Sequence, residues 1–289
     1  MKILCAACGQ ENDKNYVFSI IQGKRGIVNW QICSECKSYF SISDFDELSE
    51  QEYTFKSTSY GPEKSGIALN KYKDRMYTRI SSAIKKKYAA PASLLDIGCS
   101  YGGFLARMKD LGYKVEGYDI LPKAVEFVMK SLNVKAEECF SMSEFNKKSS
   151  EKFDIISVLD CSYYWINQLV ELKEIYNNLS NRGILVMRIA DKSKYLFIGR
   201  VLKYLYPKLG EKIIKYSVND HRFSMPLNSM LKLLKSNGFK IEYISSSDAI
   251  YSTQTHWFVK FLFFFGSLIR IFTGINFAPG LVLIARKEK

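Results

Sequence analysis

Short apolar runs alternate with helical patterns through the middle of the chain, between about residues 92 and 190. The apolar runs are short, bounded by turn residues and typical of buried strands, whereas the segments between them have helical spacing. In order, the predicted elements are strand 93–97, helix 102–111, strand 114–119, helix 123–132, strand 153–159, helix 170–179 and strand 184–189. Strands that alternate with helices in this way indicate a doubly wound α/β domain with a mainly parallel sheet.

The rest of the chain differs from this region in its patterning. Residues 1–42 carry two cysteine pairs among short strand-like runs, and residues 43–90 form a polar linker that ends in a helix from about 70 to 88. Basic amphipathic helices and two further strand signals follow residue 190. The predicted domains are therefore a small module at 1–42, a linker with a helix at 43–90, and the α/β domain at 91–289.

Composition and charge narrow the function classes. With 289 residues, 47% of them hydrophobic and 25% charged, the chain is neither disordered nor collagen-like. The net charge is +13, and residues 192–289 supply most of it with 16 basic and five acidic side chains. A basic region favours an anionic partner: a phosphate-bearing substrate, a nucleic acid or an anionic membrane.

A glycine-rich turn at the end of the first predicted strand is the most informative motif. Gly98 and Gly102 lie between strand 93–97 and the next helix, where glycine lets a ligand approach the backbone. A dinucleotide fingerprint would have glycine where this chain has Ser100, which disfavours NAD and FAD. Asp119 ends the second strand, where a carboxylate can accept both hydroxyls of a ribose.

The run from Asp96 to Gly102 resembles motif I of class I S-adenosylmethionine-dependent methyltransferases, with serine in place of the middle glycine. The turn at 182–185 and the final strand at 280–285 are similar to later landmarks of that family. The resemblance implies a seven-stranded Rossmann-like sheet and S-adenosylmethionine as cofactor. It also implies the cofactor-binding residues, which are Asp96, Gly98, Cys99, Ser100, Gly102, Asp119, Ile120 and Asp160.

Two residues are candidates for the catalytic base. In relatives, a run similar to the one that begins at His221 faces the acceptor, and a histidine there can act as general base. A structural histidine bonded to the backbone is the alternative. Asp160 is the second candidate, although many relatives carry a Glu-His pair where this chain has Asp160 and Cys161. Tyr163, Tyr164 and Trp165 follow, either as substrate contacts or as a packing cluster.

Two C-x-x-C pairs in the first 42 residues predict a metal site. Cys5, Cys8, Cys33 and Cys36 have the spacing of a zinc ribbon, in which four thiolates surround one ion. Because all four positions are filled, the predicted zinc site is structural. A metal-free ribbon and a redox pair are the alternatives.

The basic last third suggests contact with a membrane. The amphipathic helix at 195–216, which Pro207 could interrupt, could lie on anionic lipid or cover the substrate cleft. The apolar run at 257–273 could pack in the core, form a homodimer interface or dip into a membrane. The opening residues contain no apolar signal segment. We therefore expect a cytoplasmic enzyme, which could also contact the inner face of the membrane peripherally.

A cysteine ribbon before this core resembles a bacterial group found in sugar and surface-polysaccharide pathways. The predicted function is methyl transfer to a small-molecule or glycan acceptor, most simply a nucleotide-linked or lipid-linked sugar. An RNA methyltransferase is less favoured, because the ribbon is nearly neutral and lacks the basic–aromatic run typical of single-strand binding. A non-catalytic, membrane-associated protein that binds only the cofactor is a further alternative.

Overall fold

The computed structural model describes residues 2–21, 26–42, 71–218, 221–246, 264–266, 268–269, 271–272 and 280–288. The chain divides into two compact units. The cysteine unit comprises Met1–Ser57, Ser162–Val170 and Ala190–Leu233, and the sheet unit comprises Thr58–Cys161, Glu171–Ile189 and Leu234–Lys289. The domain boundaries expected from the sequence remain a prediction.

Within the described residues, thirteen strands and eight α-helices have the bounds that follow, and residues 264–266, 268–269 and 271–272 are also helical. The strands are β1 (Lys2–Leu4), β2 (Glu11–Asp13), β3 (Phe18–Ile21), β4 (Ile27–Ile32), β5 (Tyr39–Ile42), β6 (Ser93–Ile97), β7 (Lys114–Asp119), β8 (Lys135–Glu138), β9 (Phe153–Leu159), β10 (Leu179–Ala190), β11 (Phe223–Ser224), β12 (Phe239–Ser246) and β13 (Gly280–Lys287). The helices are α1 (Lys71–Lys87), α2 (Gly103–Asp110), α3 (Pro122–Leu132), α4 (Met142–Lys148), α5 (Gln168–Asn178), α6 (Ser193–Leu205), α7 (Pro207–Val218) and α8 (Leu227–Ser236), with a 3₁₀ turn at Ser162–Tyr164.

A seven-stranded sheet in the order β12-β13-β10-β9-β6-β7-β8 organises the sheet unit. The five strands from β10 to β8 pair in parallel, and β12 pairs with β13 antiparallel. The predicted doubly wound, mainly parallel seven-stranded sheet is confirmed. Because parallel strands are covered on both faces, β6 needs apolar residues at nearly every position, and Leu94, Leu95 and Ile97 are all buried.

Strand β10 begins earlier than the sequence predicts, whereas the break in the helix at 195–216 agrees with the sequence. Strand β10 begins at Leu179, whereas the sequence predicted a turn at 182–183 and a strand from 184. The pairing of β10 with β9 shifts register between Leu179 and Ile184, so the residues predicted as a turn form an irregular part of the strand. The amphipathic segment at 195–216 forms two helices, α6 and α7, which meet at Tyr206, so it breaks at Pro207 as the sequence indicated.

The cysteine unit has its own sheet and core. Its four-stranded sheet has the order β11-β5-β4-β3, and β1 and β2 form a separate antiparallel pair. The two-residue strand β11 pairs Phe223 with Phe40, so residues far apart in the chain join one sheet. Helices α6 and α7 pack on this sheet, because Leu196 and Ile214 are buried in one cluster with Trp30.

Several expectations concern segments that the structure does not describe. The linker at 43–70 and most of the apolar run at 257–273 lie outside the described residues. Within the part of the chain that is described, no helix combines the length and the apolar character needed to span a membrane.

Candidate functional site

The glycine-rich turn after β6 has a backbone shape that few residues allow. Gly98, Ser100 and Gly102 all have positive φ, at 68°, 50° and 75°. A Cβ atom on Gly98 would lie 2.8 Å from Cys161 Cβ, and one on Gly102 would lie 2.5 Å from Leu132 Cδ1. Glycine is therefore required at both positions by conformation and by packing. Ser100 adopts a conformation that is strained for a residue with a side chain.

Asp119, the predicted ribose-binding residue, ties this turn to the end of β7. Its Oδ2 accepts a hydrogen bond from the Ser100 backbone N–H at 2.6 Å, and its Oδ1 accepts one from the Leu121 N–H at 2.9 Å. Burial raises the pKa of Asp119, although these backbone donors oppose the shift. Each carboxylate oxygen can accept a further hydrogen bond, so Asp119 retains capacity for ligand hydroxyls.

Asp96 is a buried acid at the neighbouring strand end. It is 3% exposed and accepts a hydrogen bond from Ser157 Oγ at 2.6 Å. Burial raises the pKa of Asp96 to about 7, against the opposing hydrogen bond from Ser157. A positively charged ligand close to this carboxyl would favour its ionised form, so the site suits a cationic group such as a sulfonium or an ammonium.

The ends of β9 and β10 add a buried ion pair. Arg188 Nη1 donates to Asp160 Oδ1, and the Asp160 backbone N–H donates to the Arg188 carbonyl. Asp160 has a positive φ of 62°, a backbone conformation that is uncommon for a residue with a side chain. Next to it, the Cys161 thiol donates to the Ile97 carbonyl at the end of β6. Asp160, the second base candidate, is therefore held by an arginine.

Sequence reasoning missed two residues near these carboxylates. Arg188 lies in an apolar run that predicts only a strand. The second residue is Tyr77 on α1, whose ring packs 5.4 Å from that of Phe104. Burial, then the charges of Asp96 and Asp160, raise the pKa of Tyr77 above its usual range. The spacing of Tyr77 from the buried Ile80 and Ile84 was the signal that could have found it.

The cofactor-binding residues predicted from the sequence all belong to the sheet unit. Two of them connect the loop to the end of β7. The Ser100 backbone N–H donates a hydrogen bond to the Asp119 carboxylate, and the Cys99 N–H donates one to the Tyr118 carbonyl. Ile120 directly follows β7. Their role in binding a cofactor remains a prediction.

His221 belongs to the cysteine unit, where it lies among aromatic rings. It is buried, and its ring stacks on Tyr163 with centroids 3.7 Å apart, while Tyr164 meets it edge-on at 6.2 Å. The backbone fixes this arrangement, because Arg222 N–H donates to the Tyr163 carbonyl and the Arg222 carbonyl accepts from Ser41. Packing against these rings holds the orientation of His221.

The four cysteines predicted to bind metal lie together in the cysteine unit. All four sulfurs are within 4.8 Å of one another, with Cys5 to Cys36 at 3.8 Å and Cys8 to Cys33 at 3.6 Å. A tetrahedral zinc with bonds of about 2.3 Å places its sulfurs about 3.8 Å apart, so these residues could hold such an ion. Asn12 supports the cluster, since its Nδ2 donates to Cys33 Sγ and its Oδ1 accepts from Ser34 N–H.

A comparison with known protein families matches residues 69–244 to a family described as methyltransferase domain. The chain belongs to this family. The match spans α1, the glycine-rich turn and the strands through most of β12. The prediction of a class I S-adenosylmethionine-dependent methyltransferase domain is confirmed.

Two curated proteins align with parts of this methyltransferase. Nodulation protein S of Rhizobium tropici is 27% identical over 89 residues, which is 30% of this chain and 37% of the relative. The tRNA U34 carboxymethyltransferase of Helicobacter pylori (strain G27) is 29% identical over 121 residues, which is 39% of this chain and 46% of the relative. The chain thus spans less than half the length of each.

Two solved structures have a similar fold. The N-methyltransferase NodS from Bradyrhizobium japonicum WM9, in complex with S-adenosyl-L-homocysteine, has a TM-score of 0.53 and 11% identity, and covers 83% of this chain and 98% of its own. Magnesium protoporphyrin IX methyltransferase (ChlM) from Synechocystis PCC 6803 with bound SAM has a TM-score of 0.53 and 12% identity, and covers 86% of this chain and 100% of its own.

Replacing Asp119 tests its assignment to the cofactor. Asp119→Ala in this methyltransferase removes a carboxylate acceptor, so we expect the affinity for S-adenosylhomocysteine to fall by about 1.5–3 kcal/mol in calorimetry. Because alanine also leaves the Ser100 and Leu121 amides without their acceptor, Asp119→Asn serves as the milder variant and should lose less. The exposed Asp110→Ala is the control. Unchanged affinity in a folded Asp119→Ala protein would refute the assignment.

The pKa of Asp96 predicts a pH dependence of stability. The pKa of Asp96 in the folded protein, about 7, lies above that of the unfolded chain. Between about pH 4 and 7, Asp96 is therefore protonated in the folded protein and ionised in the unfolded chain, so unfolding releases a proton. The free energy of unfolding therefore falls as pH rises through that window, by up to about 4 kcal/mol. Asp96→Asn should remove most of this slope and stabilise the free protein at about pH 8.

Denaturant unfolding at several pH values measures this slope, with Asp110→Asn as the control. Some slope should remain in Asp96→Asn, because burial also raises the pKa of Glu171 to about 7. A slope equal to that of the wild type would contradict the account of Asp96.

Proposed function

We propose that this methyltransferase transfers the methyl group of S-adenosylmethionine to a nucleotide-linked or lipid-linked sugar. The observation that carries the proposal is the cluster of Tyr163, Tyr164 and His221, in the unit that also contains the four cysteines. Aromatic rings can stack on a base or on the apolar face of a sugar, and a histidine can accept a hydroxyl proton. The basic surplus at 192–289 suits the phosphates of such an acceptor.

The cofactor, when bound, supplies an activated methyl group for in-line transfer. In this proposal, Asp119 accepts the ribose hydroxyls, and the turn from Gly98 to Gly102 receives the amino-acid end. Asp96 provides negative charge beside the cationic groups. The chain's contribution to rate is alignment in a site from which water is excluded.

His221 is the proposed general base. A sugar hydroxyl is a weak nucleophile, so a base is needed to take its proton as the oxygen–carbon bond forms. The methyl–sulfur bond would break in the same step, with S-adenosylhomocysteine as the leaving group. Stacking on Tyr163 and the bond from the His221 backbone N–H to the Val218 carbonyl limit the orientations of the ring. Asp160 remains the second candidate, and its ion pair with Arg188 supports a positioning role as well.

An RNA acceptor is the second candidate function. The alignment with a tRNA U34 carboxymethyltransferase over 121 residues favours it, as does the net charge of +13. A protein that binds the cofactor without turnover is the third candidate.

We also propose that Cys5, Cys8, Cys33 and Cys36 hold one structural zinc ion. Four thiolates close a tetrahedral site and leave no position for a substrate, which supports a structural role over a catalytic one. The separations of the Cys5–Cys36 and Cys8–Cys33 sulfurs, at 3.8 and 3.6 Å, support tetrahedral coordination. The ion would fix the β1–β2 pair against the turn at Cys33.

A panel of acceptors distinguishes the three functions. We expect S-adenosylhomocysteine to form when the protein and S-adenosylmethionine are given nucleotide-linked or polyprenyl-linked sugars, and not when they are given tRNA. Liquid chromatography with mass spectrometry would identify the methylated product. Turnover with tRNA alone would favour the second function, and cofactor binding without turnover on any acceptor would favour the third.

His221→Gln tests the general base. Loss of a general base typically lowers a rate by about 10²–10⁴-fold, so we expect kcat to fall in that range while the affinity for S-adenosylhomocysteine is retained. The matched control is His256→Gln, which changes the only other histidine of the chain and should keep kcat. An unchanged kcat in His221→Gln would show that His221 is not the general base and would favour Asp160 or another residue.

Elemental analysis tests the metal site. Protein purified without chelators should contain one zinc per chain, and Cys33→Ser should reduce that content and destabilise the cysteine unit. Cys139→Ser, which changes a cysteine outside the cluster, is the control. The sheet unit has its own core, so cofactor binding should survive in Cys33→Ser. Wild-type protein without zinc would refute the proposal.

A further inference from the structure

Helices α6 and α7 form a hairpin, residues 193–218, that presents two very different faces. A Cβ atom on Gly210 would lie 2.3 Å from the Lys203 backbone nitrogen, so the two helices are in backbone contact at this glycine. On the inner face, Leu196, Ile214 and Val218 are fully buried against the β3–β5 sheet. Burial of this face anchors the hairpin firmly to the cysteine unit.

The outer face of the hairpin is apolar and exposed. Phe197, Val201, Tyr204 and Leu205 follow one another at helical spacing and form a stripe on α6. Tyr204 is 90% exposed and Leu205 69%, and every residue from 203 to 209 at the bend is exposed. Scattered exposed apolar residues are ordinary, but a contiguous stripe that ends in an exposed bend is characteristic of an interaction surface.

The hairpin that carries this apolar stripe is also basic. The hairpin carries six basic residues and one acidic residue, Glu211. Four of the lysines are exposed, at positions 203, 208, 212 and 215. Lysine is depleted in protein–protein interfaces, because its compact, strongly hydrated charge resists desolvation. A lipid surface imposes no such cost, since lysines can remain at the level of the headgroups while apolar side chains insert.

We propose that the bend and outer face of this hairpin dock on an anionic lipid bilayer. Tyr204, Leu205 and Tyr206 enter the boundary between headgroups and acyl chains, a depth that tyrosine favours because its ring is apolar and its hydroxyl is polar. The exposed lysines contact anionic headgroups. Helix α6 has 13 residues and extends about 20 Å, which suits insertion into the interface and not passage through a hydrocarbon core of about 30 Å.

A second set of exposed apolar side chains has the same character. In the described parts of 257–273, Phe264, Ile271 and Phe272 are all more than half exposed. Phe263, which belongs to the same apolar run, lies outside the described residues. The proposal rests on the hairpin alone, and it holds for any acceptor of the methyl group.

Vesicle sedimentation of the full chain tests the proposal. We expect binding to phosphatidylcholine vesicles with about 30% phosphatidylglycerol, and little binding to pure phosphatidylcholine. Salt at about 0.5 M should release part of the protein by screening the lysines. Lys203→Gln/Lys208→Gln should weaken binding by roughly 25-fold, at about fivefold per lysine. Tyr204→Ser/Leu205→Ser should weaken it by at least about tenfold and abolish the salt-resistant fraction.

Two matched controls test whether the loss of binding is specific to the hairpin. Lys85→Gln/Lys86→Gln removes two exposed lysines from α1, and Ile21→Ser/Ile27→Ser removes two apolar side chains that are 66% and 72% exposed. Both controls should bind as the wild type does. Thermal melting and binding of S-adenosylhomocysteine show whether each variant is folded and keep this test separate from that of the methyl acceptor.

Three results would overturn the proposal. The first is a wild-type protein that does not bind anionic vesicles. The second is a folded Tyr204→Ser/Leu205→Ser variant that binds as tightly as the wild type, or a control that loses as much binding as that variant. The third is a dimer in analytical ultracentrifugation that this variant disrupts, in a wild type that ignores lipid, which would make the hairpin an interface between two copies of the chain.

Discussion

The hydrogen bonds from Ser100 and Leu121 to the Asp119 carboxylate fix the turn on which the proposed cofactor site depends. They join the end of β7 to the loop that leaves β6, and they hold Ser100 at a φ of 50°. A serine in this conformation costs roughly 1 kcal/mol or more, so the buried carboxylate stabilises a backbone shape that the side chain alone would not select. The glycines on either side then meet Cys161 and Leu132 so closely that no Cβ fits. Strain of this kind, held in place by neighbouring structure, is common at functional sites.

Buried ionisable groups gather at the ends of three neighbouring strands. Asp96 is the penultimate residue of β6, Asp160 follows β9, and Arg188 lies near the end of β10. Besides burial, the charges of these three groups contribute to the pKa shift of Tyr77 on α1. Burial of such groups costs stability, as the raised pKa of Asp96 shows. In open α/β sheets, ligands bind at the carboxyl ends of the strands. The concentration of groups with shifted pKa values at this edge of the sheet agrees with a ligand site there. It also agrees with the methyltransferase family to which the chain belongs.

Much of the fold could be predicted from the sequence, because the sheet unit is built from local patterns. The β9 strand has the bounds that its apolar run predicts, and the start of α3 differs from the prediction by only one residue. The pairing of β11 with β5 could not be predicted, since a two-residue strand carries no periodicity and its partner is almost two hundred residues away. The same limit explains why Arg188 was missed as the partner of Asp160. Its charge within an apolar run was visible, but the register that brings it to Asp160 depends on an irregular β10.

The most direct test of the central claim is a crystal structure of the chain with S-adenosylhomocysteine. We expect ribose hydroxyls within about 2.7–3.2 Å of the Asp119 carboxylate oxygens, and the amino-acid end of the ligand against the turn from Gly98 to Gly102. The Asp119 bonds to the Ser100 and Leu121 amides should persist in that complex, since each oxygen has a second acceptor position. A ligand bound elsewhere, or one whose ribose does not contact Asp119, would contradict the account.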